Sequence, residues 1–262
     1  MSDFLTIEAN LRCAMRFFGL ATGSGDIQPL PGGVAIYSGL DYGVFNIALL
    51  DGPVDTGAQG LEERLSEIAK YFSSRSSRWS FWLCEDLLKP HDRRRARQVL
   101  QDFNLRPISH PPGMIATGLR PPEHDLPEIE WRPVANEALR RSFTEITSVC
   151  FEIPYTIAQA VYTPERAWQG DYQGFVGFAG SHAVSIVAIV VDAGALGVYS
   201  LATLPGYRRQ GYGEALLRSV VRDFQERTGI QQVVLQSTEA GYAMYRRMGF
   251  RDATRFSVYL TR

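Results

Sequence analysis

Tyr199-Ser-Leu-Ala-Thr-Leu-Pro205-Gly-Tyr-Arg208-Arg-Gln-Gly-Tyr-Gly213-Glu-Ala-Leu-Leu217 is the stretch on which the fold turns. Val198 to Thr203 is β-rich and predicts a strand, which Pro205 closes. Leu216, Val220 and Phe224 then recur every four residues beside Leu217 and Val221, which predicts a helix that stops at Thr228-Gly229, where glycine can take the left-handed C-terminal cap. Between strand and helix stands Arg208-Arg209-Gln210-Gly211-Tyr212-Gly213. Amides at a helix N-terminus lack intrahelical partners, the helix dipole favours negative charge there, and glycines let the backbone approach phosphate oxygens. Arg208 and Arg209 add cationic donors. Read by itself, so short a pattern fits a pyrophosphate loop, and it also fits a glycine-rich turn with two solvated arginines.

Working outward, Gln232–Gln236 predicts a strand, Tyr242–Met248 a short helix ending at Gly249, and Phe250–Leu260 one or two more strands. Upstream, Ile129–Val134 reads as a strand, Glu137–Val149 and a segment after Pro154 as helices, and Gly174–Phe178 with Val184–Val191 as a hairpin around Gly180-Ser181. The polar, proline-rich run Arg120-Pro121-Pro122-Glu123-His124-Asp125-Leu126-Pro127 reads as a linker.

The strand, glycine loop and helix, followed by Tyr242-Ala-Met-Tyr245-Arg-Arg-Met-Gly249-Phe250, resemble the GNAT acyltransferase superfamily. The resemblance implies a mixed α/β (α+β) acyl-CoA N-acyltransferase fold and acetyl-CoA as acyl donor, without a metal. It assigns the backbone of Leu201 and Thr203 to the pantetheine arm, and Arg208, Arg209, Gln210, Gly211, Tyr212, Gly213 and Glu214 to the pyrophosphate. Bulky replacement of Gly211 or Gly213 is then expected to weaken acetyl-CoA binding far more than stability. Tyr245, four residues before Gly249-Phe250, takes the position of a general acid beside the departing sulfur; a helix tyrosine packed into a core is the competing reading. Glu152, in Phe151-Glu-Ile-Pro154, borders the acceptor in such proteins, although an exposed loop glutamate is commoner. Where many relatives carry Asn, this chain has Thr238. A dinucleotide fingerprint is less well matched, because the next strand, Val233-Val-Leu-Gln-Ser237, offers no acidic residue.

The region before the linker repeats the rhythm: strands at Val34–Ser38 and Val44–Leu50, helical spacing over Leu61–Phe72, a strand at Trp79–Cys84 and a helix at Arg94–Phe103. In this register Leu100 stands where Tyr245 would, and the connection from Asp51 to Gly60 carries aspartates and no arginine, which would repel pyrophosphate. The expected organisation is therefore two tandem GNAT-like halves: a degenerate domain without a cofactor site at 1–120, a linker at 121–128, and an N-acetyltransferase domain at 129–262.

Composition bounds the partners. With 27 basic and 28 acidic residues in 262, no overall field draws the chain to nucleic acid or an anionic membrane. Arg93-Arg-Arg-Ala-Arg97 reads as a solvated helix face, and Trp79, Phe81 and Trp82 as core. Three scattered cysteines and four scattered histidines form neither a disulfide framework nor a metal site, and no apolar run is long enough for a bilayer, so a cytoplasmic protein is expected. The expected reaction is acetyl transfer to a primary amine of a small molecule or peptide. The rival is a non-catalytic acyl-CoA-binding sensor or scaffold.

Overall fold

The structure, a computed structural model, describes residues 2–54 and 60–262. The N-terminal half runs α1 (Asp3–Ala21), β1 (Asp26–Leu30), β2 (Gly33–Tyr37), β3 (Ile47–Leu50), α2 (Leu61–Ser73), β4 (Ser80–Cys84), α3 (Arg93–Asp102), β5 (Leu105–Ser109) and β6 (Pro112–Thr117). The C-terminal half runs β7 (Glu130–Pro133), α4 (Glu137–Phe151), α5 (Tyr155–Tyr162), β8 (Gln173–Ala179), β9 (His182–Asp192), β10 (Ala195–Thr203), α6 (Tyr212–Thr228), β11 (Gln232–Gln236), α7 (Glu239–Arg247) and β12 (Arg251–Thr261). Element for element, the order expected after the linker is present. Of the acidic connection 51–60, residues 55–59 lie outside those described.

The pattern β-hairpin, third strand, helix, parallel strand, helix occurs twice. In the first half, β1, β2 and β3 pair antiparallel and β3 pairs β4 parallel. In the second, β8, β9 and β10 pair antiparallel and β10 pairs β11 parallel. The two sets join in one twelve-stranded sheet through exchanged terminal strands. Strand β6, which precedes the linker, lies between β11 and β12. The second part of β12, Phe256–Leu260, pairs β4 of the first half. Each half thus covers what would be an open edge in the other, and an uncovered edge is a template for unwanted pairing. The linker marks a chain connection; the hydrogen-bonded sheet runs on through it.

Helices cover both faces. On one, Leu216, Leu217, Val220, Val221 and Phe224 of α6 pack with Val198, Leu235, Tyr245 and Phe250. On the other, α4 and α5 share a core with Ala14, Phe17 and Ala21 of α1. Helix α1 is not evident in the sequence, because the first residues mix Asp3, Glu8, Asn10 and Arg12 among apolar ones. The reason is that Glu8 and Asn10 are both buried, so the helix has no ordinary polar face on that side. Trp79 and Phe81 are core residues, and the outer face of α3 carries the exposed Arg94, Arg95 and Arg97 over buried Ala96 and Leu100.

Candidate active site

The site begins where β10 and β11 part. Their parallel ladder covers only Leu196–Val198 against Val233–Leu235, yet β10 continues to Thr203. From Tyr199 onward the edge of β10 that faced β11 has no strand partner among the described residues. On its other side, the ladder to β9 skips Ser200 and Leu201, and Ser200 is held at φ +48°, a left-handed conformation uncommon outside glycine. Leu201 and Thr203, assigned by resemblance to the pantetheine arm, therefore lie on this bulged, splayed segment.

The strand ends in the glycine loop. Arg208 turns back and donates from Nε to the Thr203 carbonyl at 3.0 Å, and Gln210 donates to the Gly206 carbonyl at 2.9 Å. Arg209 at φ +64° and Gly211 at φ +89° reverse the chain so that Gly211 caps α6 without a side-chain acceptor. The first intrahelical bond of this cap runs from the Ala215 amide to the Gly211 carbonyl at 2.9 Å. Tyr212, Gly213 and Glu214 therefore present amides with no carbonyl four residues back in the helix, at the positive end of a seventeen-residue helix. A Cβ on Gly213 would come 2.9 Å from Thr203 Oγ1, so the loop is cradled against the strand end and a side chain there would have to displace Thr203. These features fit an anionic diphosphate.

Gly211 corrects the expectation attached to it. Its φ is left-handed, and a Cβ there would meet Pro127 Cδ at 2.8 Å and Leu126 Cδ2 at 3.3 Å. Any larger residue strains the backbone and displaces the linker, so substitution carries a stability cost that the expectation left out. The glutamate of the loop has a structural role, since Glu214 is buried and paired with Arg218 at 2.7 Å.

Tyr245 is buried beside Phe250, ring centroids 5.5 Å apart, and its hydroxyl takes no hydrogen-bond partner among the described residues. Burial pushes its pKa upward, so the phenol keeps its proton and has it available to donate. Thr238 caps α7 by accepting from the Gly241 amide at 3.3 Å, which gives this position a local role without asparagine. Glu152 takes the left-handed C-terminal cap of α4 at φ +55° and its side chain is exposed.

Three contributors carry no signal in the sequence. Cys150 on α4 reaches the Thr203 carbonyl at 3.4 Å; burial raises its thiol pKa, and Arg208 partly offsets that. Tyr172 pairs its hydroxyl with Ser200 Oγ at 2.7 Å, and Tyr199 donates to Asn10 Oδ1 at 2.7 Å. Nothing in the spacing of these residues announces their meeting, because each contact joins separate elements. A cavity of about 880 Å³ lies on the outer flank of α6, lined by Leu126, Ile129, Phe178, Arg218 and Arg222. It excludes Leu201, Thr203 and Tyr245, so the splayed strands and the amide crown define the site better than this cavity does. Among the described residues no group of three or more His, Cys, Asp or Glu is placed to hold a metal, and no helix is long and apolar enough to cross a membrane.

Comparison with known proteins gives this geometry its context. The chain is 35% identical over 75 residues to the [ribosomal protein bS18]-alanine N-acetyltransferase of Escherichia coli strain K12, an alignment covering 28% of this chain and 49% of that one. The chain thus spans about half the length of the curated relatives it matches. Among solved structures, a GCN5-related N-acetyltransferase from Kribbella flavida superposes with a TM-score of 0.73 at 18% identity, over 100% of this chain and 96% of the other. A tandem GNAT protein from the clavulanic acid biosynthesis pathway superposes with a TM-score of 0.53 at 10% identity, over 87% and 78% of the two chains. Residues 136–250 match the Acetyltransferase (GNAT) family. They span the splayed strands, the glycine loop and Tyr245, so the match to the GNAT acetyltransferases falls on the part of the chain that carries the site.

Proposed function

We propose that the C-terminal half transfers an acetyl group from acetyl-CoA to a primary amine by direct attack on the thioester. The observation that carries this reading is the continuity between the unpaired edge of β10 and the unpartnered amides of Tyr212, Gly213 and Glu214. One surface offers backbone groups to an extended amide-containing arm and then an anion site to a diphosphate. When bound, acetyl-CoA supplies an electrophilic carbonyl and a thiolate leaving group.

The chain's residues then divide the work. The loop amides with Arg208 and Arg209 hold the diphosphate, and the backbone of Leu201 and Thr203 aligns the arm. Strand amides at the bulge polarise the carbonyl as the nitrogen–carbon bond forms. Tyr245 donates its phenolic proton to sulfur as the carbon–sulfur bond breaks, and it recovers a proton from solvent. The surplus proton of the attacking amine leaves to water. The carbonyl-side chemistry needs no residue of the N-terminal half to bind a second cofactor. There, beyond the β3–β4 ladder, the Val54 amide donates to the Leu87 carbonyl at 2.8 Å, which bridges the corresponding opening.

The bS18 enzyme's name describes an alanine amine as acceptor, which supports including peptides among the acceptors here. The test is release of free coenzyme A from acetyl-CoA across a panel of small amines and of peptides beginning with alanine. The expected result is turnover with at least one amine. Tight acetyl-CoA binding with no turnover across the panel would make the protein a sensor or scaffold.

A further inference from the structure

We infer that α1 of the N-terminal half is a positioning element of the acyl-transfer site: Asn10 and Phe17 hold the bulge of β10, through Tyr199 and Tyr172, in the shape that presents Leu201. The inference rests on the function proposed above and gives the first half a role beyond scaffolding.

Ser200 needs a holder. A non-glycine residue in left-handed conformation persists where its surroundings over-determine it. Two side-chain bonds do so here, one on the last paired residue before the bulge and one within it. Tyr199 donates to Asn10 Oδ1, and the Ser200 and Tyr172 hydroxyls pair, both at 2.7 Å. Both anchors lead to α1. Asn10 is fully buried, and its Nδ2 donates to the carbonyls of Val190, Asp192 and Ala195 at 3.2, 3.0 and 3.2 Å, which fixes its amide against the β9–β10 hairpin. Gly197 makes the seat for it, since a Cβ there would come 1.7 Å from Asn10 Oδ1. Phe17, seven residues on and so on the same helix face, lies against Tyr172 with ring centroids 4.3 Å apart. Burial raises the pKa values of Tyr172 and Tyr199, so both phenols keep their protons and their hydrogen bonds.

Docking alone does not require this arrangement. The three bonds from Nδ2 would secure α1 to the sheet whether or not Oδ1 met Tyr199. Tyr199→Phe and Tyr172→Phe therefore cut the positioning bonds while keeping the rings and the docking bonds. Misplacing a reacting group by about 1 Å costs about a hundredfold in rate, so kcat should fall about ten- to a hundredfold in each variant. The acetyl-CoA KM should rise by less than kcat falls, since the loop amides that hold the diphosphate are untouched. Backbone amide exchange of residues 198–204 should accelerate in both, while exchange elsewhere and the melting temperature change little. Tyr71→Phe is the matched control: it removes a phenol that bonds Asp26 on the edge strand β1, remote in the sheet from β10, and it should alter neither kcat nor that exchange.

Unchanged exchange at 198–204 in both variants overturns the inference, as does faster exchange with an unchanged kcat. A parent protein that acetylates no amine sinks the acyl-transfer reading instead, and the exchange rates then decide whether α1 holds the bulge. Asn10→Ala extends the series, and if it fails to fold the two tyrosine variants still give the answer.

Discussion

Replacing Gly213 with alanine should separate cofactor binding from stability. Gly213 is the second residue of α6, and alanine is favoured over glycine in helices by up to about 1 kcal/mol. Against this gain, the new Cβ would lie 2.9 Å from Thr203 Oγ1, which itself pairs with Ser185 Oγ at 3.0 Å. Losing that hydroxyl pair costs roughly 0.5–1.5 kcal/mol. The two effects nearly cancel, so the melting temperature should move by no more than about 4 °C in a chain of this size. Binding has no such offset, because a displaced Thr203 shifts the strand end against which the loop amides are set. Loss of one hydrogen bond to a charged oxygen is worth about 1.5–3 kcal/mol, or roughly 10- to 150-fold in affinity. Calorimetric titration with acetyl-CoA, alongside thermal melts, reads both quantities. A folded Gly213→Ala protein that binds acetyl-CoA as tightly as the parent would refute the loop assignment.

Tyr245→Phe should preserve acetyl-CoA affinity and lower kcat by roughly ten- to ten-thousand-fold, and unchanged turnover in a stable variant would remove Tyr245 from the mechanism. A structure determined with excess acetyl-CoA should contain one molecule per chain; a second between β3 and β4 would contradict a silent N-terminal half. Glu8 is buried, Arg12 Nη1 lies 3.3 Å from its Oε1 without hydrogen-bond geometry, and burial raises its pKa from 4.5 to about 7. Between these values the folded state keeps a proton that the unfolded state loses. Glu8 therefore lowers stability as pH climbs from about 4.5 to about 7, by about 3 kcal/mol in all, with no further change above. Glu8→Gln should melt higher than the parent at pH 8 and about equally at pH 4, a difference that thermal scans at the two values would show.

The C-terminal half is legible in the sequence because local chemistry and tertiary placement agree there. Leu216, Val220 and Phe224 declare a helix, and the same residues face the sheet. Gly229 stops that helix in left-handed conformation at φ +73°, as its position after Thr228 suggests. The loop's pattern locates the amide crown for the same reason, since helix N-terminal chemistry is local. For Gly211 the pattern gives the place but only part of the reason, because its contact with Pro127 joins the loop to the linker across the fold. Long-range pairings are out of reach. Pro112–Thr117 belongs in sequence to the half that precedes the linker, yet it pairs with β11 and β12, and no residue in it announces the exchange. Helix α1 fails to stand out because the buried Asn10 and Glu8 interrupt its apolar face, and the partners that satisfy Asn10 lie about 180 residues away.

The most direct test of the central claim follows a labelled acetyl group. The protein is incubated with acetyl-CoA labelled in the acetyl moiety and an amine that stimulates coenzyme A release, and label is quantified on acceptor and protein by mass spectrometry. Direct transfer predicts label on the acceptor nitrogen in a one-to-one ratio with released thiol, and none on the protein when the amine is withheld. Label on a protein side chain that then passes to the amine would contradict direct transfer, and thiol release without labelled amine would contradict N-acetylation itself.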